Sequence, residues 1–242
     1  MHNAGASSPF LLVGDHAGNS IPRSLNGLGL SDADLRRHIA WDIGIAGLGA
    51  RLADGLGASF IHQVYSRLVI DCNRQPGTTD SIVEVSDGTV LAANSGLGIS
   101  EVRARVDEVH APYHRAIADE IRRRQATGLP TIFVALHSFT PVMNGIARPW
   151  HVGILHDGGD NSFALRMLAT LTSRRELVVG DNQPYAMDGT DFTVPFHAYP
   201  ASLPYAEIEI RQDLLSDEAG VSHWAAMMKR ALAIEARNAT WA

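Results

Sequence analysis

Residues 66–74 of this chain read Ser-Arg-Leu-Val-Ile-Asp-Cys-Asn-Arg, an apolar run bracketed by Arg67 and Arg74, with the amide of Asn73 beside the second. A guanidinium is planar, permanently charged and forked, so a pair of them suits the gripping of a carboxylate through parallel charge-assisted bonds. That chemistry points to a small acidic substrate. The alternative is that both arginines flank a buried strand and pair with Asp71 or other carboxylates.

Two imidazoles supply a second kind of chemistry. His16 comes just after an apolar run at 10–13, and His137 directly follows another at 131–136. A parallel sheet would carry both to its carboxyl edge, where open α/β sheets bind ligands. Two neutral imidazoles near one another begin a zinc site, which in a catalytic centre needs about three protein ligands and an open position for water. Asp15, Asp42 and Asp71 are candidates for the third ligand. Asp42 is chosen because it lies in the otherwise apolar stretch Trp41-Asp42-Ile43-Gly44, where an unpaired carboxylate would be costly. Further along, Glu207-Ile208-Glu209-Ile210-Arg211 places two carboxylates and a guanidinium on one face of a strand by simple alternation. A Glu beside the metal could take a proton from water and return it to a leaving amine; cross-strand salt bridges on an exposed face are the competing reading. His197 and Tyr185 could stabilise an oxyanion or bind substrate, and either could equally be structural. No HExxH helix, CxxC pair or phosphate-binding Walker loop is present.

These side chains need elements to position them. The run at 10–13 reads as a buried strand ending in a polar, Gly-bearing turn, 58–63 and 68–72 as two closely joined strands, and 131–136, 151–155, 177–179 and 205–210 as further strands. Ser31 and Asp34 give a capping signature, after which Leu35, Ile39, Ile43, Ala46, Leu48 and Leu52 recur at helical spacing toward Gly55. Gly44, Gly47 and Gly49 weaken that helix locally and allow close packing on the sheet. Residues 100–126 are strongly helical in pattern, with Pro112 expected to kink or divide the helix. Residues 162–172 and 214–236 predict two more helices, and 77–98 a long connection near the site. Alternating strands and helices predict an α/β fold with a central sheet.

Bulk properties narrow the partners. The 242 residues suffice for one sizeable core, and no linker tract divides them, so a single domain over 1–242 is expected. A formal net charge of −6 offers no basic field for a phosphate backbone, which argues against nucleic acid. The lone Cys72 excludes an intramolecular disulfide and reads as a core residue. The amino terminus lacks the pattern of a signal peptide and no run reaches membrane-spanning length, so a cytoplasmic protein with no membrane partner is expected.

Six motifs in order carry a family resemblance: Asp15-His16-Ala17-Gly18-Asn19 with Ile21-Pro22; Ala40-Trp41-Asp42-Ile43-Gly44; residues 66–74; His137-Ser138-Phe139-Thr140-Pro141; residues 182–185; and residues 207–213. Together they resemble the N-formylglutamate amidohydrolase family, itself similar in fold to zinc carboxypeptidases and aspartoacylase. The resemblance implies a three-layer α/β/α fold with a mixed, largely parallel central sheet, and a role in amino-acid catabolism such as histidine degradation. It implies a zinc ion, or another divalent metal, on His16, His137 and Asp42, with Glu209 as general base and Glu207 next in line. Arg74 and Asn73 would hold a substrate carboxylate, Arg67 would contact a second carboxylate or the oxyanion, and His197 and Tyr185 would assist. The chain departs from the carboxypeptidase pattern at Asn19, which stands where those relatives carry a metal-ligating Glu. The implied reaction is hydrolysis of an N-acyl acidic amino acid, N-formylglutamate giving formate and glutamate. A different N-acyl-amino-acid hydrolase, a carboxypeptidase-like peptidase and a non-catalytic amino-acid-binding protein are the rivals.

Overall fold

A computed structural model describes residues 1–237. Six strands form the central sheet: β1 (Phe10–Gly14), β2 (Ser59–His62), β3 (Ile132–Phe139), β4 (Val152–Leu155), β5 (Val179–Asp181) and β6 (Tyr205–Arg211), in the order β2-β1-β3-β6-β4-β5. The first four strands of that order are mutually parallel, and β4 runs against β6 with β5 parallel to it. The sheet is thus mixed and largely parallel. From β1 the chain crosses to β2 on one side and later returns to β3 on the other, which opens a crevice at the carboxyl ends of β1 and β3.

Helices cover both faces: α1 (Ile45–Leu56), α2 (Ile99–Arg105), α3 (Ala111–Ala126), α4 (Ser162–Thr172), α5 (Thr193–His197) and α6 (Glu218–Arg237). Strand alternation sorts the core into two halves. Leu12, Val134, Leu136, Ala206 and Ile208 pack with Leu48 and Leu52 of α1, Phe163 and Met167 of α4, and Trp224 and Met228 of α6. Leu11, Val13, Phe133, Ala135 and Tyr205 pack on the other face with Tyr113, Ile117 and Ile121 of α3 and Val194 and Ala198 of α5. By the same period of two, His137, Glu207 and Glu209 point to the α3/α5 face. The arrangement is the three-layer α/β/α architecture expected from the resemblance.

Three sequence expectations need correction. The helix foreseen from residue 35 begins only at Ile45; Ser31 and Asp34 do exchange capping hydrogen bonds, but over a single 3₁₀ turn, Asp34–Arg36. Gly44 ends the backward extension of α1, since its φ of 85° is left-handed and a Cβ there would stand 2.4 Å from Leu215 Cβ. Leu35, Ile39 and Ala40 instead join a third apolar cluster with Leu68, Val69, Ile70 and Leu91. That cluster also explains the second correction. Residues 66–74 are a buried series of turns, not a strand, closed by Val69 N–H to Ser66 O (3.0 Å) and Arg74 N–H to Asp71 O (3.3 Å). Continuous apolarity reports burial on all sides, and periodicity cannot separate that from a strand. Third, His137 lies inside β3, two residues before its end.

Other expectations hold. Helix α1 packs closely on β2 at Gly49, where a Cβ would meet the Phe60 ring at 2.3 Å. The 100–126 region is helical throughout, α2 passing through a π turn at Val106–His110 into α3, and Pro112 follows directly on that turn, which accommodates it without ending the helix. The 77–98 connection holds only a hairpin, Val85–Ser86 with Thr89–Val90, and a 3₁₀ turn at Ala92–Asn94. Among the described residues no helix is long and apolar enough to cross a membrane.

Candidate metal centre and substrate cleft

Three adjacent parallel strands deliver the centre. The turn after β1 carries Asp15 and His16, β3 carries His137, and β6 sets Glu209 directly beside His137 in register. Asp42 arrives from the segment before α1 and is fastened to both strand ends: its N–H donates to His16 O at 2.8 Å, and its Oδ2 accepts from Ser138 N–H at 3.2 Å. Ser138 Oγ donates to Ile43 O at 3.0 Å, fixing the same segment a second time.

Donor atoms of His16, Asp42 and His137 all lie within 4.8 Å of one another, and all three residues are buried. Asp42 Oδ2 stands 3.1 Å from His137 Nδ1 and 3.5 Å from His16 Nδ1. The opposite ring nitrogens face other carboxylates. His16 Nε2 is 2.6 Å from Asp71 Oδ1, and His137 Nε2 is 3.2 Å from Asp15 Oδ2, an ion-pair distance with poor hydrogen-bond alignment. Carboxylates placed behind imidazoles in this way fix the tautomer that turns Nδ1 toward a metal.

The residues fit a divalent cation on two further observations. His16 Nδ1 is buried with no hydrogen-bond partner, as are Glu207 Oε2 and Glu209 Oε2, where buried polar atoms are ordinarily satisfied. In charge, Asp42 and Asp71 share one guanidinium, Arg67, and Asp15 faces only the imidazole of His137, so carboxylates outnumber permanent cations in a buried space. The electrostatics agree. Burial pushes the Asp42 carboxyl up, but the imidazoles of His16 and His137 overcome it and hold the group well below the usual range. Burial likewise opposes protonation of His137, yet Asp15 and Asp42 raise its pKa well above that of free imidazole. The pocket is built for positive charge.

A cleft in two lobes opens over this centre. The inner lobe, about 380 Å³, is lined by the three donor residues with Glu207, Glu209, Leu155 and the 184–191 loop. The outer lobe, about 370 Å³, is lined by His38, Ile39, Leu68, Phe139, Thr140 and Met143 among others. Arg67, Arg74 and Tyr185 border both lobes. Burial raises the pKa of Glu207 well above that of a free carboxyl and pushes Glu209 up to about 8. The charges acting most on Glu209 are those of His137, Asp42, His16 and Arg67, whereas those acting most on Glu207 are His137, Asp191, Glu209 and Asp15.

The remaining candidates are distributed unevenly. Arg67 donates from Nε and Nη2 to Asp71 Oδ2 (3.0 and 2.6 Å) and reaches toward Asp42 Oδ1 at 3.6 Å. Arg74 pairs with Asp80 at 3.1 Å and lies 3.8 Å from Asp191. The ion pairing weighed for these arginines is therefore real. Asn73 lines the inner lobe and is held by the chain entering α5: Nδ2 donates one hydrogen to Asp191, and Oδ1 accepts from the N–H groups of Phe192 and Thr193. His197 is not brought into the cleft. It lies buried behind it, with Nε2 2.9 Å from His114 Nδ1. Arg211 turns away to Asp213 and does not join Glu207 and Glu209. Asn19 donates to Leu35 O and takes no part in the centre.

A family model described as N-formylglutamate amidohydrolase matches residues 8–216. The chain belongs to the N-formylglutamate amidohydrolase family. It is thus an enzyme of a hydrolase family, carrying a His/Asp/His cluster able to hold a divalent metal. A solved structure of a gene product from Agrobacterium tumefaciens is 35% identical, covering 98% of this chain and 94% of that one, with a TM-score of 0.94. The crystal structure of N-formylglutamate amidohydrolase from Ralstonia eutropha JMP134 shares the fold at 18% identity, covering 97% and 95% of the two chains, with a TM-score of 0.72. A search of curated proteins found no match.

Sequence reasoning missed the carboxylates behind the imidazoles as a set, and it gave no place to Arg148, whose guanidinium carbon lies 4.8 Å from the centroid of the Tyr185 ring. Asp71 was visible as a candidate ligand, but nothing in its spacing announced that it would stand behind His16. Arg148 follows a short hairpin, Val142–Met143 with Ile146–Ala147, in no recognisable motif.

Proposed function

We propose that this protein hydrolyses the amide bond of an N-acyl acidic amino acid, with N-formylglutamate giving formate and glutamate as the best-fitting case. The observation that carries the reading is the convergence of His16, Asp42 and His137 with the unpartnered carboxyl oxygen of Glu209 in the inner lobe of a cleft bordered by Arg67. His16 Nδ1, His137 Nδ1 and Asp42 Oδ2 would hold zinc or another divalent cation. Bound there, such a cation lowers the pKa of water and polarises the substrate carbonyl.

The chain's own groups do the rest. Glu209 takes a proton from the attacking water and returns it to the amine nitrogen as the C–N bond breaks. Burial pushes the Glu209 carboxyl up, and a cation on the donor residues would favour its ionised form, opposing effects that suit a group moving a proton in both directions. Glu209 is preferred over Glu207 because it stands directly beside His137 in register and is acted on by Asp42 and His16 as well, while Glu207 is acted on by Asp191 and Asp15. Arg67, reaching both the donor cluster and the outer lobe, steadies the developing oxyanion or a substrate carboxylate. Tyr185 borders both lobes and contacts substrate. Arg74 meets substrate from a guanidinium already shared with Asp80, and Asn73 supports it by holding the 191–193 loop in place.

The test is formate release from N-formylglutamate by purified protein of known metal content. Stoichiometric metal with formate release supports the reading. Absence of activity after zinc is supplied overturns it in favour of an amino-acid-binding role, and release of a larger acyl group in preference to formate reassigns the substrate.

A further inference from the structure

We propose that Arg148, with the Tyr185 hydroxyl, is the anchor for the second, distal carboxylate of a dicarboxylic substrate, and so sets specificity for an acidic over a neutral amino acid. The inference rests on the reading that the cleft takes an N-acyl acidic amino acid.

It follows from which guanidinium groups are free. Arg67 is paired with Asp71 and approaches Asp42, and Arg74 is shared between Asp80 and Asp191, so an incoming carboxylate must compete with a resident one at each. Among the described residues no carboxylate pairs with Arg148. Its Nη1 donates to two neutral oxygens, Tyr185 Oη at 3.0 Å and Thr140 Oγ1 at 3.4 Å. Nε and Nη2 have no acceptor among the described residues, which leaves a donor edge open for a carboxylate.

Its neighbours place it at the outer lobe. Phe139, Thr140 and Tyr185 all line that lobe, and the guanidinium carbon lies 4.8 Å from the Tyr185 ring centroid and 6.0 Å from that of Phe139. Cation–π contact with the Tyr185 ring, together with the hydrogen bond to its hydroxyl, restrains the guanidinium before any ligand arrives. The backbone is fixed as well, Arg148 N–H donating to Pro141 O at 2.8 Å to close the hairpin. Because Tyr185 borders both lobes, a substrate whose scissile amide lies at the donor cluster extends its far end past Tyr185 toward Arg148. A side-chain carboxylate there meets an uncompensated, pre-oriented cation, whereas an amide of the same shape meets one it cannot neutralise.

The experiment is calorimetric titration of the metal-loaded protein with L-glutamate and with L-glutamine, in the wild type and in Arg148→Gln and Arg148→Lys. The expected result is preference for glutamate in the wild type, a fall of about 10- to 100-fold in the glutamate-to-glutamine affinity ratio in Arg148→Gln, and partial recovery in Arg148→Lys. Equal weakening of both ligands, or no change in the ratio, overturns the proposal and leaves Arg148 as a prop for Tyr185. Binding is read without turnover, so selective glutamate binding lost in Arg148→Gln supports the anchor even if N-formylglutamate proves inert, an outcome that would sink only the hydrolytic reading.

Discussion

Strand β1 has a buried ionic cluster at each end, and the two are assembled on opposite rules. At its amino end Arg124, fully buried, donates from Nε to Glu120 at 2.8 Å, from Nη1 to Ser8 O at 2.9 Å and from Nη2 to Phe10 O at 3.0 Å. Arg123 occupies the Glu120 carboxylate from the other side. Neither Arg124 nor Glu120 leaves a buried side-chain polar atom without a partner. At the carboxyl end, two imidazoles and three carboxylates converge, yet His16 Nδ1, Glu207 Oε2 and Glu209 Oε2 have no partner. A buried polar cluster that is complete holds the fold together, and one that is incomplete within the chain is waiting for something from outside it.

Breaking each end in turn tests the contrast. Glu209→Gln removes proton transfer while keeping shape, so kcat should fall by about 10²- to 10⁴-fold with metal content unchanged. Near-wild-type turnover would move the role to Glu207. At the other end, Arg124→Met leaves Glu120 and two carbonyls short of a donor and should lower unfolding free energy by about 3–5 kcal/mol in urea titrations. Metal content and kcat of the protein that remains folded should match the wild type; a parallel loss of activity would show that the two ends are coupled through the sheet.

The same contrast explains what could be read in advance. His16, His137, Glu207 and Glu209 were legible because a parallel sheet forces the ends of its strands to one edge, and period-two alternation fixes which face each side chain takes. Asp42 was legible by its misplacement among apolar neighbours, although the helix drawn around it was wrong, since only the φ of Gly44 and its contact with Leu215 decide where α1 begins. The grip of residues 66–74 was half legible. Their types announced carboxylate chemistry, but which carboxylate each arginine meets depends on Asp80 and Asp191, brought near by loops that have no period. His197 stayed open between the cleft and a structural role for a related reason: a His in a short helix carries no sequence mark of the side on which it will be buried.

A finer cut falls within the His16, Asp42 and His137 cluster itself. Asp71 meets His16 Nε2 at 2.6 Å in a hydrogen bond, whereas Asp15 stands 3.2 Å from His137 Nε2 in poor alignment. Asp71→Asn should therefore weaken metal binding, measured by chelator competition, by about 10- to 100-fold. Asp15→Asn should cost less. Equal losses would mean that both carboxylates act through charge alone.

The smallest effect belongs to a third buried group, which lies under the cleft but follows the rule of the amino end. His114 Nε2 is 2.9 Å from Cys72 O and its Nδ1 is 2.9 Å from His197 Nε2, so neutral rings satisfy one another in a chain: His114 donates to the carbonyl and accepts from His197. Burial pushes His114 down to about 3 and His197 down to about 4. Below pH 6.5 the unfolded chain takes up protons at both rings and the folded protein does not, so unfolding gains protons and stability falls with pH. The contribution is complete above pH 6.5 and declines down to about pH 4 for His197 and about pH 3 for His114, with a slope of about 1.4 kcal/mol per pH unit for each ring. Urea midpoints at pH 7 and pH 5 should therefore diverge less in His197→Gln than in the wild type. A variant with the wild-type slope would mean that His197 already holds its proton in the folded state, and would return that ring to the charged machinery of the cleft.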